Sequence, residues 1–290
     1  MRINFTKMHG LGNDFLIIEA PPTAPLPNAA QWRQLADRHT GIGFDQALVL
    51  EPPRTADTAA HYRVFNADGG EVEQCGNGAR CAARYLLLHG RGAADGTINI
   101  GSTSGPVAAR LLGDGRISVA LGVPDFDPRS LPFVTPAREA TYTLTVAGET
   151  IEFGAVSLGN PHAVLRVTAV ESAAVERIGL ALQAHAAFPH RVNVAFMEIQ
   201  DAGQIRLRVY ERGAGETLAC GTGACAAVVV GRDLGLLGSE VEVHVPGGRL
   251  SVHWDGPGQC VWLTGPAEVA FTGQAELRES RQSPPEVSRV

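Results

Sequence analysis

No apolar run in this 290-residue chain approaches the ~20 residues that cross a bilayer. The first ten residues alternate apolar and polar and lack the hydrophobic stretch of a signal peptide. Basic residues are outnumbered, 24 Lys and Arg against 30 Asp and Glu, giving a formal net charge of −6. That balance argues against a nucleic-acid or anionic-membrane surface. Cysteines are few and odd in number, five, so without a secretory signal they suggest free thiols in a reducing cytoplasm rather than a disulfide framework. The Cys-x5-Cys and Cys-x4-Cys spacings have no matching Cys/His set, so no zinc site is expected. No Gly-Lys-Ser/Thr follows either Gly-x-Gly, which removes the phosphate-binding loop.

What the chain does have is a phrase used twice. Cys75-Gly76-Asn77-Gly78-Ala79 returns as Cys220-Gly221-Thr222-Gly223-Ala224, an offset of 145 residues, half of 290. The repeat reaches further. Gly12-Asn13-Asp14-Phe15 matches Gly159-Asn160-Pro161-His162, and Gln46 matches Asn193 with the same internal spacing of 33 residues (13 to 46, 160 to 193). Asn66 and Glu211 each precede their cysteine by nine residues (66 to 75, 211 to 220). Self-similarity at a fixed period marks repeated structural units. The expectation is therefore an α+β fold of two pseudo-symmetric lobes, each a curved, mostly antiparallel sheet around a central helix.

Hydrophobic residues make up 44% and charged residues 19%, enough apolar surface for a sizeable core. Glycine, 34 residues, favours tight turns and backbone-lined sites. Short β-like runs dominate, with Asp114-Gly115 and Pro246-Gly247-Gly248 marking hairpins. Four helices are expected. Asn28 caps one over 29–39, stopped by Gly41, and 173–183 is its counterpart. The other two, 78–89 and 223–234, follow the cysteine phrases and are apolar nearly all round, as buried helices are. The residues around Pro284-Pro285 suggest a disordered tail over 276–290.

A helix N-terminus carries unpaired N–H groups and the positive end of the dipole. It binds carboxylates and lowers a thiol pKa toward neutrality. Each phrase thus reads as a carboxylate cradle with a poised thiol. Two lobes facing each other place one α-carbon between Cys75 and Cys220. The thiolate of one removes a proton from one face, and the thiol of the other returns one to the opposite face. A cysteine in an Ala-rich run is ordinarily a small core residue, and Cys81, Cys225 and Cys260 are read that way.

These residues resemble the diaminopimelate epimerases. The resemblance covers about residues 2–275. It rests on Met8-His9-Gly10-Leu11-Gly12-Asn13-Asp14-Phe15, Gly41-Ile42-Gly43-Phe44-Asp45-Gln46, Phe65-Asn66-Ala67-Asp68-Gly69 and the first cysteine phrase through Arg80-Cys81. Gly159-Asn160-Pro161-His162, Arg191-Val192-Asn193, Tyr210-Glu211-Arg212-Gly213 and the second cysteine phrase follow in order. The resemblance implies a cofactor-independent isomerase that converts LL-2,6-diaminopimelate to the meso isomer for lysine and peptidoglycan precursors. It implies Cys75 and Cys220 as the acid/bases. It implies Asn13, Gln46, Asn66, Gly76, Asn77, Asn160, Asn193, Glu211, Arg212, Gly221 and Thr222 around the substrate, with His162 and Glu211 near the reacting centre. No metal is implied, and a homodimer is an admissible assembly.

The family's lobes exchange their final strands. That places lobe limits at 1–121 with 265–275, and at 122–264. Two other readings stay open: a proline or hydroxyproline racemase with the same cysteine pair, and a non-catalytic amino-acid-binding protein with a redox-sensitive Cys75–Cys220 pair.

Overall fold

The computed structural model describes residues 2–21, 23, 25–72 and 76–277. The first half runs β1 (Arg2–Gly10), β2 (Asn13–Glu19), α1 (Ala29–Ala36), β3 (Gln46–Glu51), β4 (His61–Asn66), β5 (Glu71–Val72), α2 (Gly76–Leu88), β6 (Thr97–Ser102), β7 (Gly105–Leu111) and β8 (Ile117–Ala120). After β9 (Tyr142–Val146) the same order returns. It runs β10 (Glu149–Ser157), β11 (Pro161–Arg166), α3 (Val175–Gln183), β12 (Asn193–Asp201), β13 (Gln204–Glu211), β14 (Gly215–Thr217), α4 (Gly221–Asp233), β15 (Glu240–Val245), β16 (Gly248–His253) and β17 (Trp262–Gly265). The strand β18 (Glu268–Glu276) closes the chain.

Strand pairing reads almost the same from either end. The order is β18, β1, β2, β3, β4, β6, β7, β8, then β17, β16, β15, β13, β12, β11, β10, β9. The pseudo-twofold therefore passes between β8 and β17, while β5 and β14 pair with β4 and β13. Four pairs are parallel: β2/β3, β11/β12, β4/β6 and β13/β15. Each is a pair whose connection contains a helix, because parallel neighbours need a long crossover. The remaining pairs are antiparallel.

Each half of the sheet wraps a central helix, α2 in the first half and α4 in the second. Both are buried along most of their length, as their apolar sequences lead one to expect. Gly154 on β10 lets α4 in: a Cβ there would lie 2.3 Å from Val230 Cγ1. Ala79, Cys81 and Leu86 of α2 and Ala224 to Val230 of α4 belong to one hydrophobic cluster that spans both halves. The outer helices form smaller cores, Trp32 and Leu35 against Phe44 and Phe65, and Ile178 and Leu182 against Phe153 and Phe188. Asn28 caps α1 with a reciprocal bond to Gln31.

After β8 the chain crosses to the other half, where Asp125 bridges Ser157 of β10. After β17 it crosses back, and β18 pairs with β1 from Arg2↔Glu276 to His9↔Glu268. On this pairing we propose 1–121 with 265–275, and 122–264, as the lobe limits.

Three expectations change. α1 stops at Ala36 rather than residue 39, because the Asp37 carboxylate takes the N–H groups of His39 and Thr40 and turns the chain. Cys260 is exposed instead of buried, since it lies in the turn before β17, which begins at Trp262. Of the tail expected over 276–290, Glu276 instead ends β18 and Leu277 is buried, while the rest, 278–290, lies outside the described residues. Among the described residues no helix is long and apolar enough to cross a membrane.

Candidate active site

Cys220 is the N-cap of α4, with φ −107 and ψ 109, and its thiol accepts the Gly223 N–H at 3.4 Å. Gly223 is small because Sγ is there: a Cβ at 223 would come within 3.1 Å of it. Gly221 makes room for the other helix, since a Cβ at 221 would lie 3.2 Å from Asn77 Oδ1. Asn77, in the first turn of α2, donates through Nδ2 to Ala219 O at 2.9 Å and to Asn13 Oδ1 at 3.1 Å. Two helix N-termini from opposite halves, and the turn bearing Asn13, thus meet within hydrogen-bond reach. Cys75 precedes Gly76, the first residue of α2, and lies outside the described residues.

Around Cys220 runs a polar chain. Its Sγ is 3.7 Å from Thr222 Oγ1, Asn160 Nδ2 donates to Thr222 Oγ1 at 3.3 Å, and Asn160 Oδ1 meets His162 Nε2 at 2.9 Å. His162 is completely buried, and burial with the nearby Arg212 cation pushes its pKa down to about 3. It is neutral at ordinary pH. Nε2 then carries the proton toward Asn160, and Nδ1 has no hydrogen-bond partner among the described residues.

Glu211, at the end of β13, accepts from Thr217 Oγ1 at 2.5 Å. Desolvation pushes its carboxyl pKa up, against the hydrogen bonds from Thr217 and Cys220. Cys220 is 4% exposed. Burial first, and the Glu211 carboxylate second, push its thiol well above the ordinary range, and the Gly223 N–H opposes them only in part. This overturns the expectation of a thiol lowered toward neutrality. The helix N-terminus is present, but desolvation and a neighbouring anion outweigh it.

Beside this chain a cleft of about 640 Å³ opens. Four of the expected residues line it: Gly76, Asn160, Arg212 and Thr222. Arg212 is exposed; its guanidinium donates to His190 O at 3.5 Å, and among the described residues no carboxylate pairs with it. Asn193 is 4% exposed and turned inward, its Oδ1 accepting from Arg212 N at 2.8 Å and its Nδ2 donating to Pro161 O at 3.2 Å. It braces the Arg212 backbone. Gln46 and Asn66 bond to each other across β3 and β4, Nε2 to Oδ1 at 2.9 Å, rather than to the Cys220 chain. Among the described residues no group of three or more His, Cys, Asp or Glu is placed to hold a metal ion.

The sequence model for diaminopimelate epimerase matches residues 5–126 and 154–270, both halves of the repeat and both cysteine phrases. The chain belongs to the diaminopimelate epimerase family. It is an isomerase of the epimerase type. Three solved structures share the fold of this epimerase-family chain. A hydroxyproline epimerase from Agrobacterium vitis has a TM-score of 0.70 at 16% identity, covering 96% of this chain and 94% of its own. A probable proline racemase from Agrobacterium radiobacter has a TM-score of 0.68 at 17% identity, covering 95% and 93%. A phenazine biosynthesis protein of the PhzF family from Enterococcus faecalis has a TM-score of 0.63 at 16% identity, covering 96% and 100%.

The cleft also has walls that sequence reasoning missed: Glu71, Val72, Thr103, Ser104, Leu121, Leu158 and Gly159. A signal existed for three of them, Gly159 in the repeated Gly-Asn phrase and two hydroxyl residues. Gly101-Ser102-Thr103-Ser104-Gly105 is a hydroxyl-rich turn between strands, at nearly the repeat position of Pro246-Gly247-Gly248. Thr217 was missed because it contacts Glu211 only through the β13–β14 hairpin. Leu121 and Leu158 carry no sequence signal.

Proposed function

We propose that this family member epimerises LL-2,6-diaminopimelate to the meso isomer without a cofactor, using Cys75 and Cys220 as the acid/base pair. The observation that supports a two-face reaction is the meeting of α2 and α4 at their N-termini through Asn77 and Ala219. In the reading we adopt, the Cys75 thiolate takes the α-proton, and the C–H electron pair remains on carbon. The carbanion delocalises into the α-carboxylate, held by the first N–H groups of both helices. The Cys220 S–H bond then breaks toward the opposite face, leaving Cys220 as thiolate and Cys75 as thiol. Burial and Glu211 keep Cys220 protonated at the start, as an acid must be. An α-ammonium beside Glu211 cancels the repulsion that raises the Cys220 pKa, so the same residue serves as base in reverse.

Substrate choice rests on Arg212. A guanidinium in the cleft with no described carboxylate partner suits a second carboxylate bidentately. In this proposal Asn13, Gln46, Asn66, Asn77 and Asn193 shape the distal end, with Gly76, Gly221 and Thr222 around the α-carboxylate. Neutral His162 fixes Asn160 near the reacting centre. A proline-type racemase is the second reading, favoured by the two Agrobacterium structures. Its substrate has no distal carboxylate and leaves Arg212 unemployed.

The test is incubation in deuterated water with LL-diaminopimelate, L-proline or trans-4-hydroxy-L-proline, followed by chiral separation and mass spectrometry. The meso product with α-deuterium supports the proposal. Inversion of the prolines alone overturns it. A cytoplasmic location and a homodimer also belong to the proposal. Exposed Val269 and Phe271 on β18 are apolar surface for a second copy to cover, checked by sedimentation of the wild type and Phe271→Glu.

A further inference from the structure

Just past the two cysteine phrases the repeat breaks in charge. Where the second copy has Cys225, the first has Arg80. Arg80 is 0% exposed, three residues into α2 beyond Asn77. Its Nη2 donates to Asn77 Oδ1 at 2.9 Å, and its Nε reaches Pro266 O, at 3.4 Å, in the segment that crosses back between the halves. Two glycines give it room. A Cβ at Gly10 would lie 3.1 Å from Nη2, and one at Gly265 would lie 3.3 Å from Cζ. Gly10 ends β1 and Gly265 ends β17, so the guanidinium occupies the junction of the halves.

Burying a guanidinium is costly, and a core can use an apolar side chain there, as α4 does with Cys225. What Arg80 gains is control of Asn77. An amide can flip by 180°, which exchanges its donor and acceptor. With Arg80 donating to Oδ1, Nδ2 must face the other way, where it holds both Ala219 O and Asn13 Oδ1. Ala219 is the residue before Cys220.

We propose that Arg80 is a positioning residue, a buried guanidinium that fixes the Asn77 amide and, through it, sets the Ala219–Cys220 turn against the α2 N-terminus. It is not among the described residues that line the cleft. The kinetic arm rests on the proposed function; the exchange arm does not depend on it.

Arg80→Met and Arg80→Lys are compared with the parent by steady-state kinetics and by hydrogen–deuterium exchange. Misplacing a reacting group by about 1 Å costs on the order of 10²-fold, so kcat for Arg80→Met falls by about that factor while KM stays within about threefold. Lysine keeps the charge but not the planar fork, and restores about tenfold. In exchange, the 218–223 peptide opens about tenfold faster, while the α4 interior over 224–233 stays protected. A folded Arg80→Met with kcat within about twofold of the parent overturns the proposal. So does acceleration of both peptides together, which marks a purely structural role. Should Arg80→Met not fold, Gly10→Ala displaces Nη2 and is read by the same two measures. If no substrate turns over, the exchange result decides alone.

Discussion

Replacing His162 by Gln separates a titrating buried group from a non-titrating one of similar reach. His162 is fully buried and its folded-state pKa is about 3, against 6.5 for the free side chain. Between these values the unfolded chain binds a proton that the folded protein refuses. Stability therefore falls as pH drops below about 6.5, and the loss levels off near pH 3. One pH unit in that window is worth about 1.4 kcal/mol. From pH 7.5 to pH 5.0 the expected loss from this group alone is about 2 kcal/mol, a visible share of a domain's stability. His162→Gln keeps an N–H for Asn160 and removes the titration. Urea denaturation followed by tryptophan fluorescence, at pH 7.5, 6.5, 5.5 and 5.0, gives both slopes. The variant is less stable at pH 7.5 because the ring is lost, and the gap closes by about 2 kcal/mol at pH 5.0. The other eight histidines and all carboxylates are common to both proteins and cancel. Parallel curves for the two proteins refute the reasoning, since His162 would then titrate alike in both states.

Cys220→Ala removes the only described thiol in the acid/base role; turnover falls by about 10³-fold or more while loss of the buried N-cap costs only about 1 kcal/mol of stability, and retention of near-parental turnover would falsify the two-thiol reading. Arg212→Ala costs about 10²–10³-fold in kcat/KM for diaminopimelate and far less for an analogue lacking the distal carboxylate, a range kept modest because the guanidinium is solvent-exposed; equal losses on both compounds place Arg212 elsewhere. Gly247→Ala drives a Cβ to 2.2 Å from Leu11 O, where Gly247 N also donates to Leu218 O at 2.8 Å, so it destabilises by about 3 kcal/mol or more; a Tm within about 2 °C of the parent contradicts that contact.

The doubling of the chain was legible because glycines and amides at matched spacings survive where apolar residues interchange. Asn13 with Asn160, and Gln46 with Asn193, disclosed two units before any element was assigned. The central helices and the Asn28 cap followed from local chemistry alone. The acidity of Cys220 was not legible. It is set by burial and by Glu211, nine residues earlier, which returns to the thiol only because the β13–β14 hairpin folds back. Strand β18 carried no strand pattern of its own and was implied only by the family's exchange of final strands. Its residues are mostly exposed, and its partner is at the other end of the chain. The inward turn of Asn193 could not be read either, because an amide in a Val-Asn-Val context gives no sign of which backbone groups it will meet.

The pairing of β1 with β18 has a consequence for how the protein is made. Residues 2–9 find their outer neighbour only in residues 268–276. Closing a loop of about 270 residues rather than about 10 costs only about 3 kcal/mol more, so the finished fold bears it easily. The cost is in time. During synthesis β1 carries a bare edge of unpaired N–H and C=O groups until nearly all of the chain has emerged, and the first half waits on the last strand of the second. Biogenesis, not equilibrium stability, is therefore where this molecule is most exposed to aggregation, and a chain stalled just short of β18 would have both cysteine phrases yet present an open sheet edge to its neighbours.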